Sequence, residues 1–297
     1  MKRENFYPVV LALLWGLNWP AVKIVLSEVP VFVLRSSALA IASVLLLSAA
    51  LLLRRSLVVA RGSWLPLALA GALNIAAFNI FTAFAQLNTT TSRAAILTYT
   101  MPVWSTLLAA LVLREPIGRD KAIALMAGAA GVTLLAAPVF AAEEFLGVIL
   151  SLLAALAWAI GIVIQKKWPI AGDPVATTGY QLLIGAVISV VCLLVTRPAL
   201  PEFLSLPVFG AFLFHVAGAT SAAYLLWFTI LDRNSASTSA LLSFAVPVVG
   251  VLSAMLLVGD RPSPADTAGF AAILLAAGLA MRSSRNRDKS APETSRL

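Results

Sequence analysis

The 297-residue chain is 61% hydrophobic and only 11% charged, with a mean hydropathy of +0.96. Soluble domains carry roughly a quarter of their residues as charges, so a water-soluble globular enzyme and a disordered chain are both excluded, and the main solvent is lipid. The net charge of +8 does not point to nucleic acid, because the 21 basic residues sit in short clusters between apolar runs rather than along one stripe.

A helix needs about 20 apolar residues to cross a bilayer. Ten such stretches follow in chain order: Tyr7–Leu26, Val31–Leu53, Trp64–Leu87, Arg93–Leu113, Ala122–Phe140, Phe145–Gln165, Val175–Val195, Leu206–Leu231, Ser237–Val258 and Ala265–Met281. The first follows Lys2 and Arg3 but is too long for a signal-peptide core, and no small-residue cleavage site follows it. With the N-terminus in the cytoplasm, 16 Lys and Arg residues fall inside and five (Lys23, Arg35, Arg93, Arg197 and Arg261) fall outside. This bias predicts both termini in the cytoplasm. A basic tail over 284–297 is expected to be disordered. One cysteine, Cys192, and one histidine, His215, leave no set for an internal disulfide or a metal cluster, and no cofactor is expected.

The chain repeats itself. Ser92-Arg-Ala-Ala-Ile-Leu-Thr-Tyr-Thr-Met-Pro102-Val aligns with Ser237-Thr-Ser-Ala-Leu-Leu-Ser-Phe-Ala-Val-Pro247-Val at an offset of 145 residues. Trp15 aligns with Trp158 and Lys23 with Lys166 at an offset of 143, and Leu65-Pro66 with Leu206-Pro207 and Asn74 with His215 at 141. Two units of five helices follow, 1–140 and 141–283. Because five is odd, the second unit enters the membrane with opposite polarity. The expected fold is therefore an all-α polytopic membrane protein: ten transmembrane helices as two inverted five-helix repeats around a central cavity. Two related halves of opposite polarity can exchange conformations, so that a site between them opens first to one side and then to the other.

Several segments carry a family likeness. Phe81-Thr-Ala-Phe-Ala-Gln-Leu, Ser92-Arg-Ala-Ala-Ile-Leu, Met101-Pro102-Val, Leu113-Arg-Glu115-Pro and Gly128-Ala-Ala-Gly131-Val resemble the EamA-type repeat of the drug/metabolite transporter superfamily. Ala222-Ala-Tyr224-Leu, Ala236-Ser-Thr-Ser-Ala240-Leu-Leu, Val246-Pro247-Val, Val258-Gly-Asp260 and Ala276-Ala-Gly278 repeat the pattern, so the resemblance spans nearly the whole chain. It implies a ten-helix carrier that exports small metabolites, often amino acids. Within the superfamily the chain most resembles the bacterial aromatic amino acid exporters. The second copy departs in carrying Asp260-Arg261-Pro262 where the first has Glu115-Pro116.

Polar groups inside a span are costly unless paired or wet, so each is a candidate contact for a solute. Trp15, Asn18 and Val22 share one face of the first span, and Trp158 offers a matching wall from the sixth. The third span carries Asn74, Asn79, Thr82 and Gln86, the last three on one stripe. His215, at the position equivalent to Asn74, is either a neutral imidazole bonded between helices or a contact for solute or proton. Tyr99, Tyr224 and Ser243 complete the expected substrate-binding set. Pro102 and Pro247 recur at equivalent positions and are expected to act as hinges. Arg35 and Lys23 either attract a carboxylate or snorkel to the outer surface. No Asp or Glu lies near a span centre, which disfavours exchange of protons for cations through a membrane-embedded carboxylate.

These features predict a monomeric carrier of the bacterial inner membrane that exports amino acids, aromatic or otherwise neutral, by alternating access. Other small metabolites, drug-like organic cations and an open channel remain as alternatives. A membrane enzyme would need acids, bases or metal ligands grouped at one depth, and a receptor would need a sizeable loop or domain; neither is present in the sequence.

Overall fold

The computed structural model describes residues 3–114, 117–137, 144–227 and 245–290. The described residues form ten helical segments in chain order: α1 (Arg3–Val25), α2 (Val31–Leu52), α3 (Arg61–Asn88), α4 (Thr91–Val112), α5 (Arg119–Ala136), α6 (Phe145–Lys167), α7 (Pro174–Thr196), α8 (Leu206–Trp227), α9 (Ala245–Leu257) and α10 (Pro264–Ser290). Six of them are long and apolar enough to cross a membrane, and the other four carry shorter apolar stretches. The expected spans match these segments to within a few residues, except where 138–140, 228–231 and 237–244 lie outside the described residues. The stretch 284–290 is helical, because α10 continues through Arg282, Arg285, Arg287 and Lys289 to Ser290. No Gly or Pro interrupts that stretch, and Arg and Lys are good helix formers.

Sorting is inverted relative to a soluble protein. Leu52, Val195, Leu206 and Leu256 are each more than three-quarters exposed, whereas Arg35, Asn74, Gln86, Thr98 and His215 are buried. The outer faces suit lipid, and the polar side chains sit within the bundle.

Local chemistry shapes the helices. Asp173 caps α7 by accepting from Val175 N and Ala176 N, with Pro174 at the first helical position. Pro20 lies inside α1 and cannot donate to the carbonyl of Gly16; Ser253 of α9 donates its hydroxyl to that carbonyl instead, at 3.4 Å. Both α3 and α8 contain π-helical turns, over Gly71–Ala77 and Phe214–Ala222. Such turns redirect side chains and recur at functional sites.

Packing exchanges partners between the halves. α1 lies against α8 and α9, while α6, its counterpart, lies against α3 and α4. α2 runs along α7, and α5 along α10. The last pair meets closely: a Cβ on Gly131 would come within 3.1 Å of the carbonyl oxygen of Gly269. Small residues at that crossing let the backbones touch.

The connections sort onto two faces of the bundle. On one, Glu28 accepts from Ser205 N at 2.8 Å, Asp260 accepts from Ser92 N at 2.6 Å, and Arg93 pairs with Asp266 and Glu144, each at 2.7 Å. On the other, Arg55 pairs with Asp173 at 3.2 Å, and Ala60 N donates to Ala171 O at 3.1 Å. α1 therefore ends, and α6 begins, on the same face.

Candidate substrate site

The crossing of α1 with α8 gathers the first group of candidates. Trp15 and Asn18, three residues apart, meet Ala219 and His215, four residues apart on a helix of opposite direction. Trp15 Nε1 donates to Ala219 O at 3.1 Å, and His215 Nδ1 lies 2.6 Å from Asn18 Oδ1. The other imidazole nitrogen, Nε2, lies 3.2 Å from an Nη of Arg35 on α2. A guanidinium can only donate, so Nε2 accepts, the ring is neutral, and its proton sits on Nδ1, donating to Asn18. Arg35 is 2% exposed, which overturns snorkelling for this residue. Beside this chain the Trp15 ring meets Tyr224 edge-on at 5.8 Å and Trp227 at 5.4 Å. Tyr224 lies close to Asn79 and to Arg35, while the Asn79 amide donates to Ile75 O at 2.9 Å.

The crossing of α6 with α3 repeats this arrangement at equivalent positions. Trp158 stacks against Phe78 at 4.7 Å, as Trp15 meets Ala219, and Phe78 precedes Ala219 by the same 141 residues that separate Asn74 from His215. Asn74 Nδ2 donates to Trp158 O at 2.8 Å, and its Oδ1 accepts from Gln165 Nε2 at 3.0 Å. Gly161 occupies the place of Asn18; a Cβ there would overlap the Asn74 side chain. The contact is thus conserved between the halves while its chemistry differs: His–Asn–Arg on one side, Asn–Gln and a glycine gap on the other. Trp158 and Tyr224 share one apolar cluster with Ile75 and Leu39, against which Trp15, Phe78 and Met101 also pack. The two tryptophan walls therefore border the same core.

The stripe on α3 runs away from this cluster. Asn79 lies by Tyr224, Thr82 donates back to Asn79 O at 3.1 Å, and Gln86 is buried with its Oε1 unpartnered. Lys23 on α1 donates to the carbonyl of Gln86 and lies near Asp260; its amine turns to the end of α3. Asn74 points to α6 instead, five residues and a π turn away from Asn79. In α4 the helix breaks at Tyr99–Thr100, immediately before Pro102, so one expected hinge coincides with an interruption. Tyr99 packs with Ala12 and Val246. Pro247 lies in α9, and Ser243 lies outside the described residues. One contributor, Trp227, was not among the expected site residues; it falls in an apolar run with no polar mark. Gln165 lies seven residues after Trp158 on the same face and bonds to Asn74, and Arg35, one turn inside α2, was open between a carboxylate contact and snorkelling. The sequence signal available for the last was the lone basic residue without an acid near its depth.

The EamA-like transporter family model matches this chain twice, over residues 3–137 and 145–282. The chain belongs to the EamA-like transporter family. It is a multi-pass membrane transporter, not an enzyme. Protein PecM of Dickeya dadantii (strain 3937) is 29% identical over 225 residues, covering 74% of this chain and 75% of that protein. An uncharacterized transporter of Archaeoglobus fulgidus is 24% identical over 285 residues, 92% and 98% of the two chains. The uncharacterized transporter YvbV of Bacillus subtilis is 25% identical over 265 residues, 89% and 87%. A solved crystal structure shares the fold with a TM-score of 0.68 at 21% identity, covering 95% of this chain and 98% of the other.

Proposed function

We propose that this transporter is a secondary carrier of the bacterial inner membrane that exports small metabolites by alternating access, with both termini in the cytoplasm. Its cargo is an amino acid, with aromatic and other neutral ones first. The observation that carries this reading is the exchange of partners between halves. α1 crosses α8 through Trp15–Ala219 and Asn18–His215, and α6 crosses α3 through the equivalent Trp158–Phe78 and Gly161–Asn74. Two related contacts, one per half, suit a pair of inverted repeats that rock about a seat at their interface. Trp15, Trp158, Tyr99 and Tyr224 supply aromatic walls; Asn18, Asn74, Asn79, Thr82, Gln86 and His215 supply donors and acceptors, a mixture that fits a small amphipathic solute. Pro102 and Pro247 serve as hinges in equivalent helices, and the protein works as a monomer.

The test is counterflow. Proteoliposomes loaded with unlabelled phenylalanine should take up external labelled phenylalanine, with a rate that saturates. Flux equal to that of empty liposomes across a panel of amino acids would refute the carrier; flux that neither saturates nor shows counterflow would make it a channel.

A further inference from the structure

We infer that Arg35 is the anion-recognition residue of the seat, and that the cargo is held there by a carboxylate while its amino group, if it has one, goes unpaired. The inference rests on the carrier reading above and names the chemistry that seat selects.

Three other cations of the bundle have acids beside them. Arg93 holds Asp266 and Glu144, Arg55 holds Asp173, and Lys23 feels Asp260. Arg35 is the most deeply buried of the four, yet among the described residues no carboxylate forms an ion pair with it. Its one hydrogen-bond partner there is the neutral ring of His215, and its Nε is buried without any partner. Every described Asp and Glu lies near a helix end or in a connection. A buried cation without a counter-charge is costly, and among the described residues none supplies one, so a solute carboxylate is well placed to do so. The equivalent position in α7, Thr178, carries no charge and donates to Pro174 O at 2.6 Å, so among the described residues the seat holds a single positive charge.

That charge count selects the ligand. A monoanion neutralises the site, whereas a phosphate dianion leaves one negative charge over and an amine adds a second positive one. The planar guanidinium matches a carboxylate in two-pronged geometry, and the Trp15–Tyr224–Trp227 rings beside it suit an aromatic body. A zwitterionic amino acid would bind by its carboxylate end, since among the described residues no acid pairs with the residues of this group.

The test uses the purified full-length protein in detergent and four probes that share one ring: phenylalanine, 3-phenylpropionate, phenylalaninamide and phenylethylamine. Calorimetric titration should show 3-phenylpropionate binding at least as tightly as phenylalanine, with the two probes that lack a carboxylate weaker by about tenfold or more. Arg35→Gln should remove that preference, while Arg55→Gln, at the face of the bundle, should keep it. Equal or tighter binding of the amine or amide, or no binding of either carboxylate, overturns the inference. The wild-type panel decides even if Arg35→Gln fails to fold. Carboxylate binding without counterflow would leave the site standing and remove the carrier; counterflow restricted to amines would do the reverse.

Discussion

Arg93 and Arg35 are both buried arginines, and they stand in opposite electrostatic situations. Arg93 at the start of α4 gives Nε and an Nη to Asp266 and its other Nη to Glu144. Arg35 gives an Nη to a neutral imidazole and keeps an unpartnered Nε. The first is a closed network that ties three connections together at one face. The second is an incomplete one inside the bundle. A satisfied buried ion pair anchors structure, whereas an unsatisfied one signals a partner that comes and goes.

The largest effect expected is on folding. Arg93→Ala strips Asp266 of its main partner, and breaking a buried pair costs about 3–5 kcal/mol; the bond to half-exposed Glu144 adds little. Thermal unfolding in detergent should show a large fall in midpoint. Arg35→Gln should behave oppositely. Its unfolding midpoint stays level or rises, because an uncompensated charge is gone, while phenylalanine counterflow falls by tenfold or more, about 1.4 kcal/mol. A midpoint loss matching that of Arg93→Ala would erase the contrast.

Gly161→Ala probes the neutral crossing. The new methyl collides with Asn74, an overpacking cost of about 1–3 kcal/mol. Adding Asn74→Ala should relieve it, so the double variant should be more stable than the sum of the singles predicts. Asn74→Ala alone frees the carbonyl of Trp158 and should cost about 1 kcal/mol in stability with a smaller loss of counterflow than His215→Ala causes. Equal losses at the two positions would mean that the charged and neutral crossings are functionally alike.

The smallest effect lies at the face that Arg93 holds. Hydrogen bonds from Ser205 keep the Glu28 carboxyl below its ordinary value of 4.5. A carboxyl lowered on folding stabilises fully above its unfolded pKa, and that contribution disappears as pH falls through the lower folded value. Hydrogen exchange at the Ser205 amide should therefore quicken, beyond the intrinsic pH effect, on acidification below the ordinary carboxylate range, and Glu28→Gln should remove this dependence.

Much of this was legible in the sequence because membrane helices follow composition. Span positions, the duplication and the shared face of Trp15 and Asn18 all derive from hydropathy, self-similarity and helical periodicity, and the helices lie where those signals place them. What periodicity cannot report is which helices touch. Arg35 is one turn inside α2, a depth equally compatible with snorkelling, and only the approach of His215, 180 residues away, shows that it turns inward. Trp227 carries no polar mark, so its stacking on Trp15 depends on the same unseen crossing. The π turns over Gly71–Ala77 and Phe214–Ala222, which carry Asn74 and His215, had no sequence signature either.

Access to the buried stripe tests the central claim most directly. Thr82→Cys, in a chain whose Cys192 is replaced by Ser, places a single thiol at a buried position on α3. In oriented vesicles, a membrane-impermeant thiol reagent should label it from either face, with each side's labelling suppressed when the protein is held open to the other. Labelling from one face only, or from both at once in a locked protein, would contradict alternating access.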